Sequence, residues 1–137
     1  MQQRSVYTFY YGLFMDDDVL RSAGIEVREP RRGFVEGFAL RIGERATLIS
    51  RANERAYGIA YSMPHSDIDK LYGQLGLEDY KPEGVLVNTF NGGSFAALCF
   101  NLLEAPDENE KNTAYADKLK AALNKFKFPQ EYISQID

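Results

Sequence analysis

The chain has 137 residues, of which 45% are hydrophobic and 26% charged. That suits one globular domain spanning 1–137 and excludes a disordered or fibrous chain. Sixteen Lys and Arg against twenty Asp and Glu leave a net charge of -4, which argues against nucleic acid or an acidic membrane surface as partner. A single cysteine rules out an internal disulfide, and the single histidine beside it makes no zinc ligand set. The polar start Met-Gln-Gln-Arg-Ser has no apolar signal core behind it, and no stretch approaches the roughly 18 apolar residues of a membrane-spanning helix. A soluble protein of the reducing cytoplasm is expected.

The first periodic segment, 5–11, is rich in aromatic and β-branched residues and stops at Gly12, which predicts a strand running into a tight turn. Asp16, Asp17 and Asp18 follow at the positive end of a short helix that closes at Gly24. Adjacent helical positions point in different directions, so the triplet makes a poor metal site. Arg28, Arg31 and Arg32, the densest basic patch, read as a solvated loop. Residues 33–42, 46–50 and 55–63 predict three strands separated by charged turns, with Gly33, Gly37 and Gly58 suited to bulges or bends in a curled sheet. After Pro64, Ile68, Leu71 and Leu75 recur at helical spacing. His65 stands at the mouth of that helix, as a solvent-facing entry residue or as a catalytic histidine.

Segments 84–90 and 94–102 flank Asn91-Gly92-Gly93, a strong hairpin signal because these residues tolerate positive φ. Cys99 lies in an apolar run of the second strand, where a free thiol packs as a small hydrophobe; a nucleophilic role would need a positioned base. In 112–126, Tyr115, Leu119, Ala122, Leu123 and Phe126 share one helical face. Pro129 then opens a last helix that turns Tyr132, Ile133 and Ile136 inward. About six strands in hairpin-like succession with short helices define an α+β fold with a curled or barrel-like sheet.

The run Phe-Tyr-Tyr-Gly-Leu-Phe-Met at 9–15 resembles the N-terminal signature of the gamma-glutamylcyclotransferase-like superfamily, with Phe9, Tyr11, Gly12 and Met15 matching its pattern. The segments Gly-Phe-Val-Glu-Gly-Phe-Ala-Leu, Tyr-Gly-Ile-Ala-Tyr-Ser-Met and Ile-Asp-Lys-Leu-Tyr-Gly-Gln-Leu-Gly resemble its second strand, its glycine-containing strand and the following helix. The ending Phe-Pro-Gln-Glu-Tyr-Ile is similar to that of some members. The resemblance thus covers nearly the whole chain in order. It implies a small mixed barrel whose Tyr-Gly loop cradles a γ-glutamyl group, and a reaction in which the group's α-amine attacks its own γ-carbonyl to give 5-oxoproline and a free amine. No cofactor is implied.

The same resemblance assigns a small-molecule ligand, a γ-glutamyl amine or dipeptide, to Tyr11, Gly12, Leu13, Phe14, Met15 and Leu75. Backbone amides of a glycine turn suit a carboxylate or developing oxyanion, and folding the substrate back on itself supplies orientation. The attacking amine is protonated at neutral pH and needs a carboxylate to relay its proton. Where the family pattern carries that glutamate, this chain has Leu75, and Leu13 and Phe14 replace the usual polar loop residues. Glu36, Glu78 and Glu83 are the candidate substitutes. Alternation puts Glu36 on the face of Phe34, Phe38 and Leu40, where burial would raise its pKa, unless Gly37 forms a bulge that resets the face. The alternative to a catalytic role is a binding module whose pocket prefers a more apolar ligand or a partner's side chain.

Overall fold

A computed structural model describes residues 4–73, 77, 79–107 and 109–136. Five strands close into a barrel: β1 (Ser5–Tyr10), β2 (Arg31–Ile42), β3 (Ala46–Pro64), β4 (Tyr80–Thr89) and β5 (Ser94–Leu102), in the spatial order β1-β3-β2-β4-β5. All neighbours are antiparallel except β1 and β5, which close the barrel through a short parallel register of Thr8 with Leu98 and Phe9 with Cys99. Short helices cover the outside: α1 (Asp17–Ser22), α2 (His65–Tyr72), α3 (Thr113–Lys125) and α4 (Gln130–Ile133). Among the described residues no helix is long and apolar enough to cross a membrane.

The mixed α+β architecture follows the sequence pattern, with one difference in strand count. The expected strands 46–50 and 55–63 are the two ends of the single strand β3. Residues 51–54 between them are all exposed, and a strand solvated on both faces loses the alternation by which strands are recognised. Asn53, at φ 67°, and Gly37 on the facing strand, at φ 83°, take up the register shift between Glu36 and Phe38.

Two hydrophobic clusters follow from the barrel geometry. One draws on all five strands and no helix, and so fills the interior: Phe9, Val35, Leu48, Ala60, Val87 and Cys99 belong to it. The other lies between the barrel's outer surface and the helices and includes Tyr10, Leu20, Tyr61, Leu71, Leu119 and Leu123. The α3 stripe is seated there as its 3.6-residue period predicts. Gly58 lets the chain pass close to β1: a Cβ at this position would run into the backbone carbonyl of Tyr10.

Polar contacts fix the helix ends. Asp16 caps α1 by accepting from the Asp18 amide at 3.0 Å, and Asn112 caps α3 by accepting from the Tyr115 amide at 3.1 Å. The Asp triplet converges, contrary to the divergence expected of adjacent helical positions, because Asp16 is the cap and lies outside the helix. The three carboxylates surround the Lys125 ammonium at 3.0, 3.8 and 3.1 Å, tying the start of α1 to the end of α3. Arg31 and Arg32 also differ from a simple solvated loop. Arg31 lies 4.0 Å over the Phe95 ring, and Arg32 donates to the Phe126 carbonyl at the end of α3 at 2.6 Å.

Candidate functional site

β1 ends at Tyr10, and Tyr11 and Gly12 carry the chain into a single 3-10 turn, Leu13–Met15. Tyrosine hydroxyls hold this segment on three sides. Tyr11 donates to the Phe100 carbonyl at 2.8 Å, Tyr61 donates to the Met15 carbonyl at 2.6 Å, and the Leu13 amide donates to the Tyr115 hydroxyl at 3.2 Å. That last contact explains Gly12, since a Cβ there would collide with the Tyr115 hydroxyl. It also means that one amide of the expected cradle is already engaged within the fold.

Beside the turn lies a cavity of about 320 Å³. Tyr10, Tyr11 and Gly12 line it together with Leu13, Phe14 and Val19, and across from them stand Tyr72, Tyr80, Phe100 and Tyr115. The Tyr72 ring stacks on Phe100 with centroids 4.0 Å apart. Burial pushes up the hydroxyl pKa of Tyr11, Tyr72 and Tyr115, and that of Tyr80 to about 12. The phenols are therefore neutral hydrogen-bonding groups at physiological pH. Glu44 and Arg45, neighbours in the turn between β2 and β3, are the charged residues on the described lining.

Of the expected binding residues, Tyr11, Gly12, Leu13 and Phe14 meet at this cavity. Met15 does not line it; the side chain is fully buried beneath the turn. Leu75 and Glu78 lie outside the described residues. Glu36 sits on the outer face of the barrel, 62% exposed, with its carboxylate 3.0 Å from Arg55 on β3. The expected inward position fails because Val35 is the residue that points into the barrel, and alternation then turns Phe34 and Glu36 outward together. Gly37 resets the face as the alternative held, and Phe38 packs against the interior cluster that contains Val35.

Glu83 is exposed on β4 and accepts a hydrogen bond from the side-chain amide of Asn101 on β5; it is not on the lining. His65 opens α2 as an exposed residue. Cys99 is sealed in the barrel, its thiol pushed well up by burial and further by the charge of Glu83, so it stays protonated. Among the described residues, the one set of three metal-ligand groups close enough to share an ion is Asp16, Asp17 and Asp18, the set that surrounds Lys125.

Sequence reasoning missed Glu44, Arg45, Tyr72, Tyr80 and Tyr115. Tyr115 offered one signal: a tyrosine in an otherwise apolar helical stripe has a hydroxyl that must find a partner. Glu44 and Arg45 read only as turn residues.

Solved structures share the fold, although no family model and no curated protein matches the chain. A solved structure described as a gamma-glutamyl cyclotransferase superposes with a TM-score of 0.81 at 16% identity, covering 98% of this chain and 89% of the other. A human protein described as uncharacterized protein loc79017 gives 0.84 at 16% identity with the same coverages. YkqA from Bacillus subtilis gives 0.80 at 23% identity over 96% of this chain, which spans about half, 52%, of YkqA. The chain has the gamma-glutamylcyclotransferase-like fold.

Proposed function

We propose that the cavity beside the Tyr11–Gly12 turn is a ligand site that holds a γ-glutamyl or related amide, and that the protein cyclises it slowly to 5-oxoproline. The observation that carries this reading is the position of the cavity: about 320 Å³ of space opens beside the glycine turn, on a fold shared with a structure described as a gamma-glutamyl cyclotransferase. Steric enclosure by the aromatic walls favours a substrate folded back on itself, and neutral tyrosine hydroxyls can hydrogen-bond its amide. The rate is low in this reading because Leu75 occupies the position from which the family pattern supplies the proton relay, and loss of such a group costs roughly 10²- to 10⁴-fold. The buried free thiol of Cys99 suits a reducing, cytoplasmic setting.

A second reading, a binding module without catalysis, is favoured by the apolar walls of Leu13, Phe14, Val19 and Phe100. Release of 5-oxoproline from a panel of γ-glutamyl amines, measured for wild type and Leu75→Glu, separates the two. Slow wild-type turnover that rises by about 10²-fold or more in the variant supports the first reading. A silent wild type that still gains thermal stability with the same compounds supports the second. Silence in both proteins with no thermal shift overturns both.

A further inference from the structure

We infer that Glu44 and Arg45 form a receptor for a zwitterionic α-amino-acid head group at the cavity rim, and that the cavity selects γ-glutamyl amides of apolar amines. This rests on the ligand site proposed above and names its substrate class. The polarity of the lining is lopsided: both charged residues come from one turn, while the rest of the described wall is aliphatic, aromatic or neutral phenol. A ligand matching that gradient carries its charges at one end and an apolar group at the other.

The turn is braced to present these side chains. The Gly43 amide donates to the Arg45 carbonyl at 3.1 Å, and the Glu44 amide lies 3.4 Å from the Glu110 carboxylate. Asn112, the cap of α3, donates to the Glu44 carbonyl at 3.4 Å, and the Tyr80 hydroxyl donates to the Ala46 carbonyl. Arg45 contacts Asp79 at 3.0 Å, but the pair is 40% and 72% exposed, so it is weak in water and a ligand carboxylate can share or displace it. The guanidinium fork, with five donors, suits the α-carboxylate. No lysine or arginine pairs with the Glu44 carboxylate among the described residues, which leaves it to meet the α-ammonium. The amine half of the amide then enters between Phe14 and the stacked Tyr72 and Phe100 rings. A γ-glutamyl dipeptide would drive a second carboxylate against these walls without a partner, at a large desolvation cost.

Titration calorimetry with four compounds tests the inference: γ-glutamylbenzylamide, its analogue lacking the α-amine, its analogue lacking the α-carboxylate, and a γ-glutamyl dipeptide with a free carboxylate. Wild type should bind the first most tightly, each head-deleted analogue about fivefold or more weakly, and the dipeptide weakest. Arg45→Ala should weaken only the compounds that retain the α-carboxylate, and Glu44→Gln only those that retain the α-amine. Both positions are on the surface, so thermal unfolding should confirm intact folding. Equal binding of all four compounds, or equal weakening of all four by either variant, overturns head recognition and leaves the apolar site standing. Failure of every compound to bind the folded wild type overturns the site and the inference with it.

Discussion

The barrel interior and the layer between barrel and helices are both apolar, yet they are filled differently. The interior sets small and branched side chains, Ala46, Ala56, Ala60, Ala97, Val85 and Cys99 among them, around the rings of Phe9 and Tyr11. The outer layer is filled by longer side chains, including Tyr10, Met15, Tyr61, Leu119 and Tyr132. Ligand-sized space opens where Tyr10, Tyr72 and Tyr115 form an aromatic seam beside the glycine turn. The difference teaches that the cavity belongs to the seam between the two clusters, since Tyr11 and Ala46 of the interior share its wall with Tyr10, Tyr72 and Tyr115.

Alkaline pH tests the seam most strongly. Tyr10 and Tyr11 have their hydroxyl pKa raised by burial, Tyr10 with a further push from the charge of Asp67. A raised folded pKa leaves stability fully present below the unfolded value near 10 and removes it as pH rises through the folded value, at about 1.4 kcal/mol per pH unit for each tyrosine. Circular dichroism and phenolate absorbance should therefore change together in one cooperative step above about pH 10, rather than as a gradual titration.

Leu119→Ala removes a fully buried side chain of the outer layer and should cost about 2–5 kcal/mol in urea unfolding. Gly58→Ala probes the tight passage beside the interior, with a cost of about 1–3 kcal/mol from overpacking against the Tyr10 backbone. Gly12→Ala should cost a similar or smaller amount, but the cause is a single hydroxyl. In a Tyr115→Phe background, itself down by about 1 kcal/mol from the lost hydrogen bond, the same substitution should be close to neutral. Additive costs in that double variant would show that the Gly12–Tyr115 contact is not what demands glycine.

The smallest effect lies at the α1 and α3 ends. Burial pushes the Asp17 pKa up, but the hydrogen bond and charge of Arg21, with the charge of Lys125, outweigh it and hold the carboxyl below its usual range. A lowered folded pKa gives stability that is present above the unfolded value and lost as pH falls through the folded one. Asp17→Asn should accordingly shift the urea midpoint slightly at pH 7, and the difference should vanish in acid and shrink in 1 M salt.

Much of the architecture was legible in periodicity: the Asn91-Gly92-Gly93 hairpin, the α3 stripe and the entry of β1 into the Gly12 turn all stand where the pattern put them. Glu36 shows where such reading stops. A two-residue period states which side chains share a face, but not which face is inside, and only the position of Val35 decides it. The cavity was half legible for a related reason. Tyr11 to Phe14 are contiguous, whereas Tyr115 reaches them from 102 residues away and Glu44 and Arg45 from a turn whose direction depends on bracing by Glu110 and Asn112. The exposed residues 51–54 in the middle of β3 carry no alternation, and they fall at the register break between the Ser50–Phe38 and Arg55–Glu36 pairs.

The parallel contact of β1 with β5 also joins the strand pair most distant in sequence. Thr8 and Phe9 meet Leu98 and Cys99 across about 90 intervening residues, a closure whose chain entropy is recovered only after the antiparallel strands are in place. During synthesis β1 leaves the ribosome long before its last neighbour exists. Until β5 follows, β3 is the one strand neighbour that β1 has in the native order.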